Sequence, residues 1–159
     1  MKKIFVGFII GYTLGIVGTY YFLVRPEKNK AKKFKDLSDK HLSLFILMQK
    51  WVKQKIKGKQ ISRYLSEKSI KNVAIYGMNY VGEALYEELN KNGIRVLYGI
   101  DMNADKMFSD IDIYKPSEEL PDVDAIIVTP IHAYDVIEES MSKKMNCLIL
   151  SIEDIIYEM

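Results

Sequence analysis

Cysteine and histidine are almost absent: Cys147 is the single cysteine, and His41 and His132 are the two histidines. One thiol excludes an internal disulfide framework. It lies in the apolar run Cys147-Leu148-Ile149-Leu150, where it reads as a small buried hydrophobe, because no neighbouring base would activate it as a nucleophile. The two histidines stand far apart and no second cysteine joins them, so no metal-ligand spacing is present. Charge is absent from another place, the whole stretch between Lys3 and Arg25. Basic residues are also missing from the one glycine-rich turn that would want them to hold a diphosphate.

What is present is charged, apolar and unevenly divided. Hydrophobic residues make up 48% and charged residues 28% of 159, which excludes a disordered chain and permits a real core. Residues 1–72 carry 17 Lys/Arg against 4 Asp/Glu, a net of +13; residues 73–159 carry 6 against 17, a net of −11. A basic arm beside an apolar segment suits anionic headgroups, at about 1 kcal/mol for each nearby Lys or Arg. An acidic domain repels phosphate backbones, so nucleic acid is not an expected partner.

The uncharged run from Ile4 to Val24 reaches ~31 Å as a helix, enough to cross the hydrocarbon core, with Tyr20 and Tyr21 near its far end where interfacial aromatics settle. Cleavage as a signal peptide at Thr13-Leu14-Gly15 would leave the apolar stretch from Ile16 to Val24 exposed. No cysteine follows the run, so a lipoprotein signal fails as well. The expectation is a single-pass signal anchor over 1–25. Lys2 and Lys3 precede it, whereas Arg25, Lys28, Lys30, Lys32, Lys33 and Lys35 follow, which places the C-terminal part in the cytoplasm. Gly7, Gly11 and Gly15 share one helix face and, with the arm that follows, offer a route to a homodimer.

Residues 26–58 form the basic amphipathic arm. Phe34, Leu37, His41, Leu44, Met48 and Trp51 recur at three- and four-residue steps, widened by Phe45, Val52 and Ile56, and Gly58 is the stop. A stripe of this kind buries itself against the chain's own domain, a second copy or lipid. Tyr64-x-x-x-Lys68 in the short helix that follows has the spacing of a short-chain dehydrogenase pair. It precedes the glycine motif instead of following it, and is read as coincidence.

Residues 59–159 alternate strand and helix. Asn72 to Tyr76, Arg95 to Asp101, Ile111 to Tyr114, Asp124 to Thr129 and Cys147 to Ser151 read as strands. Helices run through Val81–Leu89, closed by Asn92-Gly93, and from about Ala133 to Lys144, with a last turn or two from Glu153. This pattern predicts a five-stranded parallel sheet in the order 3-2-1-4-5, one mononucleotide-binding half of a doubly wound α/β fold. Ligands of such sheets bind beyond the carboxyl ends of the strands where the order reverses. Three features converge there. Gly77-Met78-Asn79-Tyr80-Val81-Gly82 is a turn opening a helix, whose unpaired N–H groups attract anions. Asp101 ends the second strand, about where an acid meets a ribose hydroxyl. Thr129 and His132 flank the crevice after the fourth strand. The fingerprint's middle glycine is Asn79, which tolerates a left-handed backbone or caps the helix with its own side chain. Asp101-x-Asn103-x-Asp105 with Asp112 imitates a calcium loop, but Lys106 replaces the required glycine and a strand precedes it. Asp135, Glu138 and Glu139 read as a solvated face. No metal site and no catalytic residue is assigned.

The run Val73-Ala74-Ile75-Tyr76-Gly77-Met78-Asn79-Tyr80-Val81-Gly82, with Tyr98-Gly99-Ile100-Asp101, Val123 to Thr129 and Leu150 to Ile156, resembles small Rossmann-like domains of bacterial surface-polysaccharide loci. These are similar to the nucleotide-sugar-binding N-terminal domain of sugar acyltransferases that carry a left-handed β-helix. The resemblance covers about residues 59–159. It implies a nucleotide-sugar or NAD(P)-type site at Gly77, Asn79, Gly82 and Asp101. It does not imply acetyl transfer, whose histidine and acetyl-CoA site belong to the β-helix part. The expectation is a non-catalytic, membrane-tethered binding or scaffold module serving envelope polysaccharide assembly. The alternatives are an enzyme or enzyme subunit acting on a nucleotide sugar with His132 as acid/base, and an interaction domain with no small ligand.

Overall fold

A computed structural model describes residues 12, 15, 18–21 and 25–159. The chain divides after Leu44 into two compact units, the second being Phe45–Met159. Helix α1 runs Arg25–Ile56. Among the described residues no helix is long and apolar enough to cross a membrane. The expected span over 4–24 lies outside the described residues apart from Tyr12, Gly15, Gly18, Thr19, Tyr20 and Tyr21, and Gly7 and Gly11 lie outside them too.

The second unit takes in the last turns of α1, where Leu47, Trp51 and Gln54 are buried. After α1 come α2 (Ile61–Glu67), β1 (Asn72–Tyr76), α3 (Tyr80–Lys91), β2 (Arg95–Ile100), β3 (Ile113–Tyr114), β4 (Ala125–Val128), α4 (Tyr134–Ser142), β5 (Leu148–Ser151) and α5 (Ile152–Glu158). The five strands form one sheet in the order β3-β2-β1-β4-β5, and every neighbouring pair is parallel. This is the expected α/β architecture. β3 is shorter than the run from Ile111 suggests, since only Gly99 and Ile100 of β2 register with it, against Ile113 and Tyr114.

β1 and β4 are central, and their near-continuous apolar sequences follow from burial on both faces. All four residues of β4 are buried. Side chains alternate across the sheet. Ala74, Ile126 and Val128 join Tyr98, Ile100, Ile137, Met141 and Met145 in one cluster under α4. Ile75 faces the other side, toward α3, where it lies beside Gly82. Asp124, just before β4, fastens the sheet's opposite end: its Oδ2 accepts the backbone N–H groups of Asn72 (2.8 Å) and Lys71 (2.9 Å). Those two donors hold its carboxyl below the usual carboxylate range.

The helices on the α3 side are joined through polar atoms as well as apolar ones. Glu88 of α3 is buried, with a side chain 1% exposed. Its Oε2 accepts from Trp51 Nε1 of α1 at 3.0 Å and pairs with Lys55 Nζ at 2.7 Å. Its Oε1 accepts the backbone N–H of Ile61, the first residue of α2, at 2.8 Å. A buried carboxylate is tolerable only when paired and hydrogen-bonded, and here both oxygens are used. Gln54, also buried, donates from Nε2 to the carbonyl of Ile156 in α5. The face of α1 that docks is therefore Leu47, Trp51 and Gln54, at helical i, i+4 and i+7. Phe34, Leu37, Phe45, Val52 and Ile56, expected to share the stripe with Trp51, are exposed.

Replacing Glu88 with Ala strands the indole N–H and the Ile61 amide. Thermal unfolding should show a loss of about 2–4 kcal/mol, with Glu88→Gln losing less because one acceptor remains. An undiminished melting temperature in Glu88→Ala would refute this role. The depressed carboxyl of Asp124 contributes stability that is fully present above its unfolded pKa and is lost as pH falls through the lower folded value. Asp124→Asn should therefore melt lower than the parent at neutral pH and show a shallower decline below about pH 4.

Candidate functional site

The switch point lies between β1 and β4, where chain order reverses across the sheet. The loop from Gly77 to Asn79 turns the chain from β1 into α3, and its geometry is dictated by a close approach. A Cβ at position 82 would fall 2.2 Å from the Gly77 carbonyl oxygen, so only glycine allows α3 to start this near β1. Gly77 has φ +90, which glycine alone adopts at little cost. Its α-carbon is roofed by Pro130 and Thr129, each 2.7 Å from where a Cβ would sit.

Each of the expected site residues has a definite place. Thr129 is buried and donates its hydroxyl to the Gly77 carbonyl at 2.6 Å, latching the loop after β4 onto the turn after β1. The Met78 side chain is buried against Gly99 of β2, where a Cβ would come within 2.7 Å of Met78 Cγ. Its backbone N–H donates to Asp101 Oδ2 at 3.1 Å. Asp101 Oδ1 accepts from the Asn103 N–H at 2.8 Å. Asn79 takes an extended conformation, φ −91 and ψ −169, and its side chain accepts from the Val81 N–H at 3.0 Å. Of the two roles open to Asn79, capping is the one adopted, and the left-handed backbone is not used. Tyr80 is 83% exposed at the first turn of α3. His132 lies exposed in the short 3-10 turn Ile131–Ala133 that follows Pro130.

Gly77, Met78, Asn79, Gly82, Asp101 and Thr129 are thus brought together, chiefly to hold one another. A helix N-terminus leaves its first N–H groups unpaired, but here the Asn79 oxygen already occupies the one at Val81, and Asp101 takes the N–H of Met78 in the loop just before the helix. Asp101 retains capacity. An ionised carboxylate has about four lone-pair sites, and two are engaged.

Pro130, in the run Thr129-Pro130-Ile131-His132 that the sequence places in the crevice, roofs Gly77 with its ring. Gly99, which makes room for Met78, is the member that the sequence reading did not single out, although a glycine inside a strand marks a close approach. The resemblance of Asp101 to Asp105 to a cation loop is also explained: Asp101 makes a turn with Asn103, and Asp105 pairs with Lys115 at 2.5 Å. Among the described residues no group of three His, Cys, Asp or Glu could hold a metal ion. Tyr64 and Lys68 do meet, Nζ lying 4.6 Å from the ring centroid, and Tyr64 donates to Glu158. Burial, then the bond to Glu158, raises the Tyr64 phenol above its ordinary value, the reverse of what a catalytic tyrosine needs. Among the described residues, a pocket of about 290 Å³ lies beside Met48, Val52 and Ala84, and another of about 350 Å³ beside Arg63, Tyr64 and Glu158.

Since backbone stands where a Cβ would go, Gly82→Ala should cost about 3 kcal/mol or more in chemical unfolding. Asn79→Ala should cost about 1 kcal/mol and Asn79→Gly only a few tenths, because glycine is a fair N-cap. A tolerated alanine at 82 would mean that the turn is looser than described. No protein-family model, no curated protein and no solved structure matches this chain.

Proposed function

We propose that this chain is a membrane-tethered, non-catalytic binding or scaffold module of bacterial envelope polysaccharide biosynthesis, whose ligand is a nucleotide sugar or a dinucleotide. Residues 4–24 are the tether, and the α/β domain faces the cytoplasm. The observation that carries the reading is Asp101. Its carboxylate ends β2 at the carboxyl edge of the sheet, one hydrogen bond from the Gly77 turn, with lone pairs still free for ribose hydroxyls. The self-capped turn favours grip on the ribose and base over grip on the diphosphate, so affinity is modest.

The absence of a reaction from this reading rests on how the candidate groups are spent. The Thr129 hydroxyl is committed to the Gly77 carbonyl. Burial, reinforced by Glu138, pushes the Tyr134 phenol up to about 12. Burial, then Asp122, raises the Cys147 thiol, which keeps it protonated at neutral pH. One observation favours the interaction-domain reading: Tyr80 and Met102, which follow β1 and β2 at the same edge, are 83% and 72% exposed.

Calorimetric titration of the full chain in detergent with UDP-sugars, NAD and NADP checks the proposal. One of them should bind, Asp101→Asn should weaken it about tenfold, and Asn79→Gly, which frees the Val81 amide, should tighten it. Silence from every ligand in both the parent and Asn79→Gly overturns the ligand assignment and leaves the interaction domain.

A further inference from the structure

The loops at the carboxyl edge of the sheet hold large apolar side chains out in solvent. Tyr80 and Met102 are largely exposed, and Phe108 is fully so. Chain connectivity keeps them at one place. The Met78 N–H donates to Asp101 Oδ2, so Tyr80 lies two residues from one end of that bond and Met102 one residue from the other. Consecutive α-carbons are only ~3.8 Å apart, which holds both residues beside the crevice. β3 enters the sheet level with Gly99, one residue before β2 ends. The loop 101–112, which carries Phe108, therefore leaves and rejoins the sheet at this same edge. Single apolar side chains on a surface need no explanation, but aromatic and methionine side chains gathered at one rim mark a docking surface.

The same edge is negative throughout. Its loops and first helical turns, residues 77–83, 101–112, 129–135 and 151–154, carry eight Asp/Glu against one Lys. Asp105 has Lys115 as a partner, whereas Glu83, Asp110, Asp112, Asp135 and Asp154 are exposed and make no ion pair. Lys91, Arg95, Lys143 and Lys144 stand at the other end of the strands, at the close of α3, the start of β2 and just after α4. Charge is thus polarised along the strands, with the negative pole at the crevice. We propose that this edge docks a lysine- or arginine-rich segment of a partner protein, which inserts an apolar side chain among Tyr80, Met102 and Phe108. Charge selects that occupant. The same edge of a second copy would set carboxylate against carboxylate. Anionic headgroups and nucleic acid are repelled for the same reason, and a small cation would leave the apolar side chains wet. A cationic segment with an apolar anchor relieves both costs at once. The proposal names the partner for the interaction reading of this edge and rests on that reading; the tether and the nucleotide do not enter it.

Fluorescence anisotropy of a labelled lysine–leucine peptide, titrated with the full chain in nanodiscs of zwitterionic lipid, tests the docking, with empty nanodiscs as the blank. The peptide should bind saturably, and more weakly as salt rises. Tyr80→Ser with Met102→Ser should raise the dissociation constant about tenfold. Asp110→Asn with Asp112→Asn should raise it about fivefold and flatten the salt dependence. Glu119→Gln with Asp122→Asn removes the same charge from the run leading to Asp124, at the opposite end, and should leave binding unchanged. All six positions are exposed, so melting temperatures should hold and the losses report docking, not folding. No binding to the parent, unaltered binding by both edge variants, or an equal loss in Glu119→Gln with Asp122→Asn overturns the proposal. So does sedimentation in which Tyr80→Ser with Met102→Ser dissociates a dimer; that outcome keeps the interaction reading and replaces its cationic partner with a second copy. Titration with UDP-sugars and NAD is read separately, so the docking and the nucleotide stand or fall independently.

Discussion

The start of α3 presses so closely on the end of β1 that position 82 has no room for a side chain. Much else in the crevice is arranged around that contact. The chain must turn at Gly77 with positive φ, Thr129 and Pro130 close over the turn from β4, and Met78 is driven down onto the bare backbone of Gly99. Sterics, not charge, set this region. Polar groups then satisfy the amides that the turn exposes, Asn79 at Val81 and Asp101 at Met78. A crevice organised in this order is held together by its own contacts.

The sheet was legible because its signals are local and chemically loud. Val73 to Ile75 and the run around Ala125 to Val128 are apolar without interruption, which only strands covered on both faces require. Strand order then follows from the handedness of parallel crossovers. The docking of α1 was not legible in the same way. The helix offers two apolar faces, and spacing alone cannot say which one the domain takes. The deciding residue, Gln54, is polar, and its partner is the carbonyl of Ile156, a hundred residues away in sequence. Glu88 gave a fainter signal, a carboxylate placed on the apolar side of α3 between Leu85 and Leu89, which is a position that calls for a buried partner.

The turn after β1 was readable from its spacing, and the contacts of its side chains less so. Gly77, Gly82 and Asp101 stand where the motif places them, but Met78 and Thr129 are structural members of the crevice, with buried side chains bonded or packed inward. Asn79 shows why the spacing of a motif underdetermines its chemistry. The same side chain that fits the turn fills the place of the anion that the turn otherwise attracts. The helix start is self-sufficient, its Val81 amide already taken by the Asn79 side chain.

The two oxygens of Asp101 reach in different directions, one to the loop after β1 and the other to the loop after β2. The carboxylate thereby joins the two loops, beside the backbone bond from the Gly77 N–H to the Ile100 carbonyl. A substitution that removes its oxygens leaves the amides of Met78 and Asn103 without their acceptor at once, so two loops lose an anchor through one change.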